Sequence, residues 1–130
     1  MISHSKPFFD KYDEKALTGV LKRQFASYGP FSKRFSSQCA DMMGKTWGIA
    51  VQSGTDALTL AIRLLDLPKN AKIAIPAYSC GAILDAVAFN GFKPIPIDIS
   101  KETLAICPER ASNPRHDSVI AAHLFGIMAP

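Results

Sequence analysis

The sequence predicts an α/β fold in which a mostly parallel sheet carries helices on both faces. Short apolar segments such as Lys72–Pro76 and Ser118–Ala122 have the composition of buried strands. Other segments, for example Thr55–Leu65, carry apolar residues at helical spacing. Strands that alternate with helices usually form a parallel sheet through right-handed crossovers, so the order of these segments indicates a layered architecture.

Two helices are expected before the first strand. Apolar residues recur near helical spacing over Asp13–Phe25, and the Tyr28–Pro30 turn ends that helix. A second helix is expected over Phe31–Met43, with Gly44 at its C-terminal end. Trp47–Val51 is then predicted as the first strand.

The alternation continues through the rest of the chain. The helix that begins at Thr55 is closed by the Pro68 turn, and the strand Lys72–Pro76 follows. Three further elements are predicted: a helix over Ser79–Phe89, a strand over Lys93–Ile99 and a strand over Ser118–Ala122. Ligands of such open sheets bind at the carboxyl ends of the strands, so these ends are where a site is expected.

Composition limits the possible functions. The 130 residues suit one domain, with 48% hydrophobic and 20% charged residues. The net charge of +4 is spread along the chain, which argues against nucleic-acid binding. No segment resembles a signal peptide or a membrane span, and the widely spaced Cys39, Cys80 and Cys107 suggest neither a metal site nor a disulfide framework. A cytoplasmic protein is expected.

The turn Ser53–Asp56 is the strongest functional signal in the sequence. It joins an apolar segment to the start of a helix, where backbone N–H groups lack internal partners and favour an anion. Gly54 has no side chain to obstruct a ligand, and Ser53, Thr55 and Asp56 all favour a helix N-terminus. The pattern indicates a phosphate-binding turn, although a plain capped turn has the same residues.

Several blocks, in order, resemble the DegT/DnrJ/EryC1/StrS family of sugar aminotransferases, which are fold-type I enzymes that use pyridoxal 5'-phosphate (PLP). The resemblance runs from about residue 6 to the end of the chain and rests on these blocks: Tyr28–Phe31, Gly48–Leu58, Ile75–Ser79, Gly91–Ile99, Glu102–Leu104 and His123–Gly126. It implies a partial three-layer large domain over residues 46–130, incomplete at its C-terminus, preceded by an N-terminal helical segment over residues 1–45.

The resemblance also implies roles for single residues. Gly54, Thr55 and Asp56 would hold the cofactor phosphate through backbone N–H groups and the Thr55 hydroxyl. Cys80 stands where many members of the family carry an aromatic residue that stacks on the cofactor ring. Either Cys80 takes the ring face as a small polarizable group, or this stacking is lost. A third alternative is a buried structural cysteine. His123 is assigned no chemical role.

In this family the lysine that forms the Schiff base, and the acidic residue that pairs with the pyridine nitrogen, follow the block that matches His123–Gly126. No lysine follows Lys101, so the chain is expected to be inactive alone, with no catalytic residue of its own. The complete enzyme would move an amino group from a small-molecule donor to a keto sugar. A homo-oligomer, or association with a complementary chain, is expected. The alternatives are a non-catalytic interaction remnant that docks on a homologue or on a complementary chain, and a stand-alone phosphate or nucleotide binder.

Overall fold

The computed structural model describes residues 5–23, 27–113 and 115–129. The chain forms two compact units, Met1–Ala50 and Val51–Pro130. The domain boundary expected between residues 45 and 46 stays a prediction. Among the described helices, none combines the length and the apolar character that crossing a membrane requires.

The described residues of the first unit form two helices, α1 (Lys11–Lys22) and α2 (Pro30–Met42). Helix α1 begins two residues before its predicted start, because the Asp10 carboxylate caps it by accepting the N–H groups of Tyr12 and Asp13. The predicted end of this helix at Phe25 lies outside the described residues. Helix α2 begins with a proline at its first position, where the missing N–H costs nothing.

The strand predicted over Trp47–Val51 is wrong, since within the described part of the chain this segment joins no sheet. Its Ala50 N–H donates to the Ser36 hydroxyl, 3.0 Å away, instead of to the carbonyl of a neighbouring strand. Gly48 lies directly against the Ser36 carbonyl of α2. The segment has the apolar composition of a strand, but among the described residues it has no strand beside it with which to form a ladder.

The second unit is the α/β part of the chain. Its elements are α3 (Gly54–Arg63), β1 (Lys72–Pro76), α4 (Gly81–Phe89), β2 (Lys93–Ile97), α5 (Pro108–Ala111), β3 (Ser118–Val119) and a one-turn 3-10 helix at Leu124–Gly126. The three strands form a parallel sheet in the order β2-β1-β3. The predicted α/β class and parallel pairing are confirmed.

Strand β3 is shorter than predicted because its partner strand ends in a proline. The Ile120 N–H still donates to the Ala74 carbonyl at 2.9 Å. The next bond of a parallel ladder would run from residue 76 of β1 to the Ile120 carbonyl. Pro76 has no N–H and cannot make it. The extension of β3 to Ala122 is therefore not observed.

Strand β2 ends at Ile97 rather than at Ile99 because the chain turns back on itself. The Ser100 N–H donates to the Ala105 carbonyl and the Cys107 N–H to the Asp98 carbonyl, which closes a short antiparallel turn with a bridge between Ile99 and Ile106. Neither this turn nor α5 was predicted, since both consist of a few residues without periodicity.

The core of the second unit lies between the sheet and helices α3 and α4. It contains five buried apolar residues: Ile62 of α3, Ile73 and Ile75 of β1, and Ala86 and Val87 of α4. Ile73 and Ile75 are two positions apart on the strand, so both point to the face that the helices cover. Five half-buried side chains pack around this cluster: Leu58, Leu67, Ile83, Phe92 and Ile120.

Candidate functional site

The start of α3 is the predicted phosphate turn, and Ser53 shapes it. Ser53 is the extended N-cap residue of the helix, with φ −151° and ψ 164°. Its hydroxyl oxygen accepts the Asp56 N–H at 3.1 Å, and its O–H donates to the Asp56 carboxylate at 2.9 Å. One hydroxyl therefore satisfies a free donor of the helix and fixes the carboxylate beside it.

Two backbone donors of this turn remain available. Among the described residues, none accepts a hydrogen bond from the Gly54 or the Thr55 N–H, whereas the Ala57 N–H donates to the Ser53 carbonyl at 3.0 Å. The positive end of the helix dipole lies at these two groups. Both would suit an anionic oxygen.

Gly54 leaves open space at the helix start. The φ angle of Gly54 is not positive, in contrast to that of Gly91, which is +74°. A Cβ built on Gly54 meets no atom within 4 Å. The expectation that Gly54 gives a ligand close access therefore rests on space and not on an unusual backbone conformation.

Asp56 differs from its two neighbours in the predicted site. Its N–H is already bound by Ser53, so the structure leaves two free backbone donors where the sequence suggested three. Its carboxylate lies in the first turn of α3 and itself complements the helix dipole. An anion at the turn would have to approach on the side of Gly54 and Thr55, away from this charge.

Cys80 is the N-cap residue of α4, and its side chain is exposed and makes no cap hydrogen bond. The buried alternative for this cysteine is therefore wrong. Helices α3 and α4 pack on one face of the sheet, and the Asn90 amide joins them by donating to the Thr59 carbonyl at 3.0 Å. Helix α4 follows β1 after a short turn, so Cys80 and the start of α4 lie near the carboxyl end of β1. Among the described residues, no hydrogen bond joins Cys80 to Ser53–Asp56.

The other strand ends carry polar groups with local partners. After β2, Asp98 forms an ion pair with Arg110 of α5, and the Ser100 hydroxyl donates to the Glu102 carboxylate. His123 Nδ1 accepts the Ala129 N–H at 2.7 Å.

Two glutamates near the end of β2 have lowered pKa values. The hydrogen bond from Ser100 lowers the pKa of Glu102. The Cys107 thiol donates to the Glu109 carboxylate at 2.9 Å and lowers the pKa of Glu109 in the same way.

Two further features bear on ligands. No group of His, Cys, Asp and Glu side chains suited to a metal ion occurs within residues 5–23, 27–113 and 115–129. A groove of about 700 Å³ lies in the first unit and is lined by residues that include Val20, Arg23, Tyr28 and Phe31. None of the predicted site residues lines this groove.

Ser53 shapes the turn but lies outside the predicted site residues Gly54, Thr55 and Asp56. The sequence predicts only that it favours a helix N-terminus. The signal was the spacing Ser53-Gly54-Thr55-Asp56, a serine followed three positions later by an acidic residue, which is the pattern of an N-terminal capping box.

Residues 7–130 match the sequence profile of the DegT/DnrJ/EryC1/StrS aminotransferase family. The 3-oxo-glucose-6-phosphate:glutamate aminotransferase of Bacillus subtilis is 33% identical over 113 residues, which are 85% of this chain and 26% of the relative. The UDP-N-acetyl-3-dehydro-alpha-D-glucosamine 3-aminotransferase of Acidithiobacillus ferrooxidans is 30% identical over 122 residues, 89% of this chain and 33% of the relative.

The crystal structure of NtdA from Bacillus subtilis with its bound cofactor PMP superposes with a TM-score of 0.79 at 31% identity, over 87% of this chain and 27% of NtdA. The chain thus spans between a quarter and a third of the length of the proteins it matches.

Proposed function

The chain belongs to the DegT/DnrJ/EryC1/StrS aminotransferase family, and from this we propose that it forms the N-terminal part of the large domain of a PLP-dependent aminotransferase. Its task in that enzyme is to hold the cofactor phosphate at the start of α3. The observation that carries this proposal is the pair of N–H groups at Gly54 and Thr55 that no described residue accepts, with open space in front of Gly54.

The turn suits a phosphate group in three respects. Two backbone donors and the helix dipole provide attraction without a charged side chain. The Thr55 hydroxyl adds a third donor beside them. The fixed Asp56 carboxylate restricts where a dianion can lie, since like charges at close range repel. We place the phosphate against Gly54 and Thr55, with Asp56 as the residue that supports the turn through Ser53.

The proposed reaction moves an amino group from a small-molecule donor to a keto sugar. Bound PLP supplies the electron sink that such a transfer needs. The chain's own residues contribute binding and orientation of the phosphate end, and no lysine of the chain is assigned to the chemical step. The two curated relatives are named as aminotransferases of oxidised sugars, which supports the acceptor class.

Location and assembly are parts of the same proposal. Cys39, Cys80 and Cys107 are all free thiols in the structure, which suits the reducing cytoplasm. Association with a second copy or with a complementary chain is proposed because large apolar side chains are exposed in both units, among them Trp47 and Phe125.

Amide NMR of the 14.1 kDa chain tests the phosphate turn directly. The probe is pyridoxamine phosphate, which has no aldehyde to react with surface lysines, and its control is pyridoxamine without the phosphate. We expect pyridoxamine phosphate to shift the Gly54 and Thr55 amide resonances most, and pyridoxamine to leave them unchanged. A shift with ADP but not with pyridoxamine phosphate would instead favour a nucleotide binder.

A pair of matched variants distinguishes steric obstruction of the phosphate site from misfolding of the chain. Gly54→Val and Gly81→Val each add a branched side chain at the first position of a helix, at a glycine whose Cβ would meet nothing within 4 Å. We expect Gly54→Val to abolish the response to pyridoxamine phosphate and Gly81→Val to retain it. A response to pyridoxamine phosphate that is retained in Gly54→Val as fully as in Gly81→Val would show that the phosphate does not bind at Gly54.

A further inference from the structure

The outer edge of β2 differs from an ordinary edge strand in its backbone groups. The Lys93 N–H donates to the Ala71 carbonyl and the Ile97 carbonyl accepts the Ala77 N–H, both at 2.8 Å. Residues 93 and 97 therefore direct their backbone groups towards β1. Because these directions alternate along a strand, residue 95 also faces β1, whereas residues 94 and 96 face away from it.

Both outward-facing positions are prolines. Pro94 and Pro96 have no N–H, so the outer edge of β2 has no donor between Lys93 and Ile97. The Phe92 N–H, next along the chain, is already bound to the Val87 carbonyl. A neighbouring strand could reach carbonyl oxygens along this edge but would find no N–H group to accept.

We propose that Pro94 and Pro96 close the outer edge of β2 against strand pairing with a second copy of this chain. The strand is five residues long, and two of its residues, Ile95 and Ile97, are only half-buried. A donor-bearing edge of this composition would pair with its own counterpart in another molecule. Proline at the two outward positions prevents this without removing any bond to β1, because neither position faces β1.

The test restores the missing donors. The variant Pro94→Val/Pro96→Val adds two outward-facing amides and keeps an apolar, strand-favouring composition. We expect its sedimentation distribution to shift to larger species as concentration rises, beyond any shift of the unchanged chain. Hydrogen exchange at the new amides of positions 94 and 96 is expected to slow severalfold over the same concentration range.

Two further variants make the result specific. Ile95→Val/Ile97→Val alters the same strand at positions whose amides face β1, and we expect no change in association. Pro96→Val alone adds one outward-facing amide, at a residue whose side chain is exposed. This single variant tests the proposal if the double variant does not fold. Amides at 94 or 96 that exchange freely at every concentration, with association unchanged, would overturn the proposal.

Discussion

Gly48 shows how one residue without a side chain allows two segments to meet. A Cβ at this position would lie 2.3 Å from the Ser36 carbonyl oxygen, a backbone atom that cannot move alone. We expect Gly48→Ala to lower the free energy of unfolding by about 1–3 kcal/mol, the usual cost of overpacking. Urea unfolding of the variant measures this. Gly54→Ala is the control, because its Cβ has open space, and equal losses in both variants would contradict the close approach.

Ser53 is a second position at which one side chain has a measurable effect. Ser53→Ala removes the cap from the Asp56 N–H, and we expect a loss of about 1 kcal/mol in the free energy of unfolding. Thermal unfolding followed by circular dichroism is the measurement. Ser37→Ala, at an exposed position within α2, is the control and should cost nothing. An unchanged stability of Ser53→Ala would mean that water caps α3 equally well.

The two residues differ in how far the sequence reveals them. The role of Ser53 is local, since its partner is three positions away, and the residue pattern alone indicates a helix start. The contact between Gly48 and Ser36 joins residues twelve positions apart on an irregular segment and a helix. Nothing in the spacing of either residue identifies the other, because the contact depends on how the chain returns after α2.

At the scale of elements, Asn90 holds α3 and α4 together. Its amide donates to the Thr59 carbonyl of α3 at 3.0 Å and to the Ala86 carbonyl of α4 at 2.8 Å. We expect Asn90→Ala to cost about 1–2 kcal/mol through these lost bonds and to speed hydrogen exchange in α3. Asp85→Ala, on the exposed side of α4, is the matched control. Faster exchange in both variants would point to a general weakening of α4.

The turn after β2 is expected to respond to acid. The Ser100 hydroxyl holds the pKa of Glu102 below its ordinary value. The hydrogen bond to the ionised Glu102 carboxylate therefore stabilises the folded state fully above the ordinary glutamate pKa. This stabilisation is lost as pH falls through the lowered value in the folded state. We expect Ser100→Ala to raise the pKa of Glu102 in an NMR titration. The pKa of Glu109, which Cys107 lowers, should not change, and a shift in both groups would mean that the turn has rearranged.

Element boundaries show where sequence patterns stop being sufficient. The type and order of α2, α3, β1 and α4 follow from apolar periodicity, and each lies within about two residues of its predicted range. The early end of β3 depends on Pro76 of a different strand, so it follows only once the register of β1 and β3 is known. The prolines of β2 are visible in the sequence, yet which edge they face follows only from the pairing of β2 with β1.

At the scale of the whole molecule, the family and the α/β class were accessible from sequence because they rest on many blocks in order. The wrong strand at Trp47–Val51 marks the limit of that reasoning. Its apolar residues favour a strand, but a strand also needs a partner, and no described strand pairs with it. The sequence pattern indicates that the segment favours an extended conformation, but it does not identify a neighbouring strand.

The exposure of that segment leads to a prediction about association. Trp47 is the single tryptophan of the chain and is 86% exposed, and Met42 and Met43, which shortly precede it in the sequence, are also largely exposed. Apolar surface of this kind is favourable to bury, so we expect the chain to associate as its concentration rises. Tryptophan emission should then shift to shorter wavelength and acrylamide quenching should weaken, in step with the mass from sedimentation equilibrium.

The control for this prediction is Trp47→Phe with a tryptophan placed at exposed Lys33, a position on α2. A reporter at that position should show less protection at equal mass if the Trp47 segment is part of the interface. Trp47 emission that stays characteristic of water at all concentrations, while the mass stays at 14.1 kDa, would show that the chain remains a monomer. A rise in mass without protection of Trp47 would place the interface elsewhere on the molecule, since burial of the indole must change its emission.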